Sequence, residues 1–186
     1  MKRNRLCSSW AKVLGCVLLV VALAACRSTV RVPDAAQPTA QQASVFPDYR
    51  DVVIPPNIAP LNFQVNNPAD EIVVQIKGQR GEPLVAEAET AGKLRFDSTE
   101  WRRLLTDNRG GQLSVEVFTQ HEGQWQQHPA WKWTVAAEPI DSFLTYRLIE
   151  PSYELYRQLG LYERNLTNFD EHPIYENNDT FEEENN

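Results

Sequence analysis

The chain has 186 residues, 18 basic and 25 acidic side chains, a net charge of −7 and 42% hydrophobic residues, which suits a folded domain with its own core. All three cysteines, Cys7, Cys16 and Cys26, lie in the first 26 residues, so the body beyond them has no disulfide framework, no CxxC redox pair and no cysteine-ligated metal. That body carries 14 basic against 25 acidic side chains, a balance that argues against nucleic acid as a partner and against adhesion to anionic lipid headgroups.

In chain order, residues 1–25 read as a lipoprotein signal peptide. Lys2, Arg3, Arg5 and Lys12 accompany an apolar run over residues 13–25, and no acidic residue occurs before Cys26. The run is 13 residues long, whereas a helix needs about 20 to cross the hydrocarbon. It is apolar all round, so it lacks the period of an amphipathic core helix. Its end, Leu23-Ala24-Ala25-Cys26, resembles the lipobox of bacterial lipoproteins, in which small residues precede a cysteine that takes a diacylglycerol and becomes the first mature residue. An ordinary cleavable signal would need only the small residues and would leave Cys26 without a purpose. The resemblance implies lipidation at Cys26, a membrane reached through acyl chains, and residence in the bacterial cell envelope. Arg27, standing where some bacteria carry a retention Asp, favours the outer membrane over the inner.

Residues 26–47 are rich in Ala, Gln, Ser, Thr and Pro without a sustained apolar period. They are expected to form a flexible tether, spanning about 25 Å on average for a coil of about 20 residues. A mainly β domain is expected over residues 48–140. Pro55, Pro56 and Pro60 forbid a central strand near its start and predict an edge. From there the period becomes two. Leu61, Phe63 and Val65 share a face, as do Ile72, Val74 and Ile76, with Gln75 and Lys77 predicted in solvent. The run over residues 83–89, the short stretch holding Leu94 and Phe96, the trio Leu113, Val115 and Val117, and the trio Trp131, Trp133 and Val135 continue the pattern. Six short strands at close spacing predict an Ig-like β-sandwich. One segment breaks the pattern: Asp97 caps, Glu100 follows at capping-box distance, Trp101, Leu104 and Leu105 fall at helical spacing, and Gly110 supplies a stop. One connecting helix over residues 98–108 is predicted, crossing between the two sheets and plugging one end.

Beyond residue 140 the composition turns to Tyr and Leu. Pro151 and Gly160 bracket a stretch that predicts one or two helical turns. The aromatic density of residues 141–175 is too high for a disordered acidic tail. That span therefore reads as a docking segment, or as the start of a further domain, with Tyr146, Tyr153, Tyr156 and Tyr162 as its contact residues. Residues 176–186 are expected to be an acidic, disordered tail, since seven acidic side chains and no Lys or Arg occupy the last 17 residues.

Catalytic and metal-binding patterns are sparse. His121 and His128 stand seven apart with no third ligand specified, and Asp170, Glu171 and His172 are sequence neighbours whose side chains alternate in direction on a strand. No GxSxG elbow, phosphate-cradling glycine loop, HExxH or nucleophilic cysteine occurs. No catalytic residue and no metal are expected. Trp125, Trp131 and Trp133 offer flat rings for stacking on a sugar face. Trp131 and Trp133 share a face with Val135, as core residues would, which leaves Trp125 as the exposed platform.

The string "YRLIEPSYELYRQLGLYERNLTNFDE", residues 146–171, resembles the lead-in to the TolB-like, WD40-like β-propeller of a group of bacterial envelope proteins. "DYRDVVIPPNIAPLNFQV", residues 48–65, resembles the start of the sandwich-like module that those proteins carry in front of the propeller. The resemblance implies a propeller and a haem-attaching CxxCH further on. Neither occurs within the 186 residues, so no haem and no other cofactor is expected. The expectation is a lipid-anchored envelope protein acting as a non-catalytic binding or assembly module, with a protein partner or a further C-terminal domain against residues 141–175. A carbohydrate-binding module using exposed aromatics is the alternative, and an envelope hydrolase the third reading.

Overall fold

The longest strand of the chain lies at the centre of its main sheet, with partners along both of its edges. The structure, a computed structural model, describes residues 30–149 and 159–176. Its elements are β1 (Gln37–Pro38), β2 (Val45–Phe46), β3 (Val53–Ile54), β4 (Gln64–Val65), β5 (Glu71–Lys77), β6 (Leu84–Glu87), α1 (Ser98–Asp107), β7 (Gln112–His121), β8 (Gln124–Gln127), β9 (Trp131–Val135), β10 (Phe143–Leu148), β11 (Gly160–Asn165) and β12 (Glu171–Glu176). One edge of β7 pairs antiparallel with β5, and β5 pairs in turn with β6. The other edge is shared: β8 takes its C-terminal half and β9 its N-terminal half. The short β1 and β3 add in parallel outside β8 and β9, giving a seven-stranded sheet.

Period two decides which face of that sheet is buried. Ile72, Val74 and Ile76 of β5, Leu113, Val115 and Val117 of β7, and Trp131, Trp133 and Val135 of β9 all point into one core. Opposite them lies a second layer made of the β2–β4 ribbon, α1 and the connecting segments that carry Phe63, Leu94 and Phe96. The result is a mainly β sandwich with one short helix, its sheets not closed into a barrel. Aromatic rings join the layers: Phe63 meets Trp131 and Trp133 edge-on at 6.1 and 6.4 Å, and Trp101 meets Trp133 at 5.9 Å. Two indoles also pin the proline-rich segment. Trp101 Nε1 donates to Ile58 O at 2.9 Å and Trp133 Nε1 to Tyr49 O at 2.5 Å.

The register predicted for the core side of β5 is met, with Val74 and Ile76 wholly buried and Lys77 exposed and paired with Glu116 at 2.5 Å, but the other side is not fully in solvent, since Gln75 is half-buried and Val73 buried. The edge predicted for the proline-rich segment is β3, which pairs with β9 alone. α1 starts as expected, because Asp97 Oδ1 accepts from the Thr99 and Glu100 amides, each at 2.9 Å. It ends at Asn108, whose side chain donates to Leu104 O and Arg80 O and accepts from Arg80 N. The helix is thereby tied to the β5–β6 turn.

Three expectations need correction. Residues 37–46 are part of the domain and not of a tether: β1 pairs with β8, Ala43 is buried, and β2 pairs with β4. These are two-residue strands held by backbone and Asn67 hydrogen bonds, so they carry no apolar period to read. The stretch with Leu94 and Phe96 buries both side chains but makes only one bridge, Gln64 to Lys93. α1 does not plug an end between sheets. It links β6 to β7, which flank β5 in one sheet and run parallel, and a parallel pair needs a crossover that returns over one face.

Candidate functional site

Phe143–Leu148, Gly160–Asn165 and Glu171–Glu176 build a separate, three-stranded antiparallel sheet in the order β10–β11–β12. Sequence reading expected helical turns within this span. Residues 150–158, which hold most of that stretch with Tyr153 and Tyr156, lie outside the described residues. Register sets Tyr146 opposite Tyr162. Their rings stack at 5.9 Å and 24°, one of the cross-strand pairs that stabilise a sheet. Tyr146 donates its hydroxyl to Glu171, and Tyr162 to Glu176 at 2.7 Å. Both phenols are held above their ordinary pKa, chiefly because the hydrogen bond to a carboxylate favours the neutral hydroxyl. Arg164 completes this face, 3.6 Å from Glu171. On the other face His172 lies 3.2 Å from Glu163, directly across the pair.

This sheet differs from the sandwich in what it buries. Of its residues only Gly160 is buried, and Phe143, Leu144, Leu148, Leu161, Ile174 and Tyr175 are exposed at 40% or more. By register Leu144, Tyr146 and Leu148 line one face, and Phe143, Leu161 and Tyr175 the other. Apolar surface thus stands on both sides of a thin sheet, where a globular domain ordinarily covers at least one.

Attachment to the sandwich runs through polar contacts. Asn57 exchanges two hydrogen bonds with the Ile140 backbone, and the Ala59 amide donates to Leu166 O at 2.8 Å. Beside these contacts a groove of about 580 Å³ opens between Val52, Val53, Ile54, Ile58 and Leu61 on one side and Arg164 and Phe169 on the other. Arg164 lies over the Phe169 ring at 5.5 Å, so the groove is apolar with one cation at its rim. A second recess, about 500 Å³, is lined by Asp70, Glu71, Glu87 and Glu89. Among the described residues no three His, Cys, Asp or Glu side chains gather closely enough to hold a metal ion.

The remaining predicted residues fall in different places. Trp131 and Trp133 are core residues, Trp125 on β8 is half-buried, and the three form no common platform. His121 is exposed at the β7–β8 turn. His128 is buried, bonded to Thr119 Oγ1 and to Gln41 O at 2.9 Å each, so it fastens the residues after β1 to the sheet. Cys26 and residues 177–186 lie outside the described residues. Sequence reading found Tyr146 and Tyr162 but not the strand pairing that stacks them, although Leu144, Tyr146 and Leu148 alternate. It also missed the groove, whose walls come from two segments more than 100 residues apart.

The chain matches no family model, and neither a curated protein nor a solved structure is significantly similar to it.

Proposed function

We propose that this protein is a lipid-anchored component of the bacterial envelope, outer membrane preferred, that acts as a non-catalytic assembly module. The sandwich is its scaffold and the β10–β12 sheet its docking element for a protein partner or a further domain. The observation that carries the reading is the exposure of apolar side chains on both faces of that sheet, against a sandwich core that is fully covered. Patches of this kind mark interaction sites, and the tyrosine stack with its two carboxylate bonds ties the three strands to one another on the presenting face. The anchor rests on the lipobox resemblance at Cys26.

Two experiments test the two halves. Fatty-acid labelling in cells should mark the protein and fail with Cys26→Ala, and label retained by that variant contradicts the anchor. A photo-crosslinking residue placed at Leu144 or at Leu161, one on each face, should capture protein in intact envelope. No adduct from either position contradicts docking.

A further inference from the structure

The two free edges of the β10–β12 sheet are chemically unlike. Leu166 N donates to Ser142 O, and alternation along an antiparallel pair then turns the backbone groups of Leu144 and Tyr146 toward β11 and those of Phe143, Thr145 and Arg147 outward. Phe143 N is already taken by Asp141 Oδ1 at 3.1 Å. Among the described residues Thr145 and Arg147 each keep an open N–H and C=O toward the edge. On the far side Asn165 N donates to Asp170 O, so in β12 the outward residues are Glu171 and Pro173. Pro173 has no N–H to offer, Glu171 brings a charge, and a bulge follows. Those are the devices by which sheets block an edge. β10 contains no Pro and no bulge, and Arg147 is its one charged residue.

We infer that β10 pairs antiparallel with β10 of a second copy, making one six-stranded sheet across a two-fold axis. The inference rests on the docking reading above and names its occupant. A register centred on Tyr146 sets Tyr146 beside its counterpart, Leu144 opposite Leu148, and Thr145 opposite Arg147. Thr145 and Arg147 exchange both backbone hydrogen bonds, and the axis repeats the exchange, so the open groups of both edges are satisfied. The stacked pair of each copy becomes a run of four tyrosines. Leu144 and Leu148, exposed at 50% and 41%, gain an apolar neighbour. No like charges meet in this register, whereas a register centred on Arg147 would oppose two guanidinium groups.

The test is sedimentation of the lipid-anchored chain in detergent over a dilution series, with hydrogen exchange read at the Thr145 and Arg147 amides. A monomer–dimer equilibrium is expected, with these two amides gaining protection as concentration rises. Thr145→Pro removes one outward N–H per copy and leaves the β10–β11 ladder intact. It should weaken the dimer about 30- to 100-fold, the loss of two hydrogen bonds. Thr145→Lys, which places an ammonium opposite Arg147 of the other copy on an exposed position, should weaken it as well and guards against a folding defect in the first variant. A dimer indifferent to both variants, or a monomer at every concentration, overturns the pairing. If that monomer still gives adducts from Leu144 in the envelope, the docking reading stands without it, and if no adduct forms, both fall.

Discussion

Trp131 and Trp133 sit on the same face of β9, both buried, yet their indole N–H groups differ. Trp133 Nε1 reaches Tyr49 O at 2.5 Å, while Trp131 Nε1 finds no acceptor among the described residues. Replacement by Phe removes similar volume at each site, but only at Trp133 does it break a bond and leave a carbonyl unpaired. Trp133→Phe should therefore cost about 1 kcal/mol more than Trp131→Phe, read as the difference in denaturant unfolding free energy, and equal losses would contradict the assignment. Tyr146 and Tyr162 give a pH prediction at the same scale. A phenol whose folded pKa is raised above its ordinary value of about 10 contributes stability that is complete below that pH and is lost as pH climbs through the raised value. The β10–β11 pair should be indifferent to pH in the neutral range and should loosen only in alkali. In an absorbance titration Glu171→Gln should lower the Tyr146 midpoint, and an unchanged midpoint would show that the carboxylate does not hold the phenol.

At the scale of elements, strands with one buried side were legible and strands without one were not. β5, β7 and β9 each carry three apolar residues at period two that enter a common core, and the start of α1 was announced by Asp97. β5 gives the sharpest check. Val74→Asp puts an unpaired charge into the core and should unfold the domain, whereas Gln75→Asp, one residue along, should be tolerated; similar thermal melts for the two would contradict the register. β1 and β2 were illegible because each is two residues long, too short to show a period, and rests largely on backbone bonds. The path of α1 was misjudged for a different reason: that β6 and β7 lie either side of β5 is set by long-range pairing, which no local pattern encodes. β10 carried a readable alternation in Leu144, Tyr146 and Leu148 that was lost in the surrounding density of Tyr and Leu, whereas β11 and β12 have no clean alternation to read.

The molecule as a whole joins a sandwich that covers its own core to a sheet that buries only Gly160. Three strands need a covered apolar face for independent stability, and the few hydrogen bonds from Asn57, Ala59 and Ile140 do not provide one. On the proposed reading a partner or a further domain supplies that cover, which is the physical content of calling the sheet a docking element. Amide hydrogen exchange on the purified protein, diluted until it is monomeric, tests that claim most directly. β5 and β7 should exchange only through global unfolding, while β10–β12 should open locally and exchange orders of magnitude faster, gaining protection in envelope preparations. Protection of β10–β12 equal to that of β5 and β7 in the dilute monomer would show that the sheet is complete in itself, and would contradict the account.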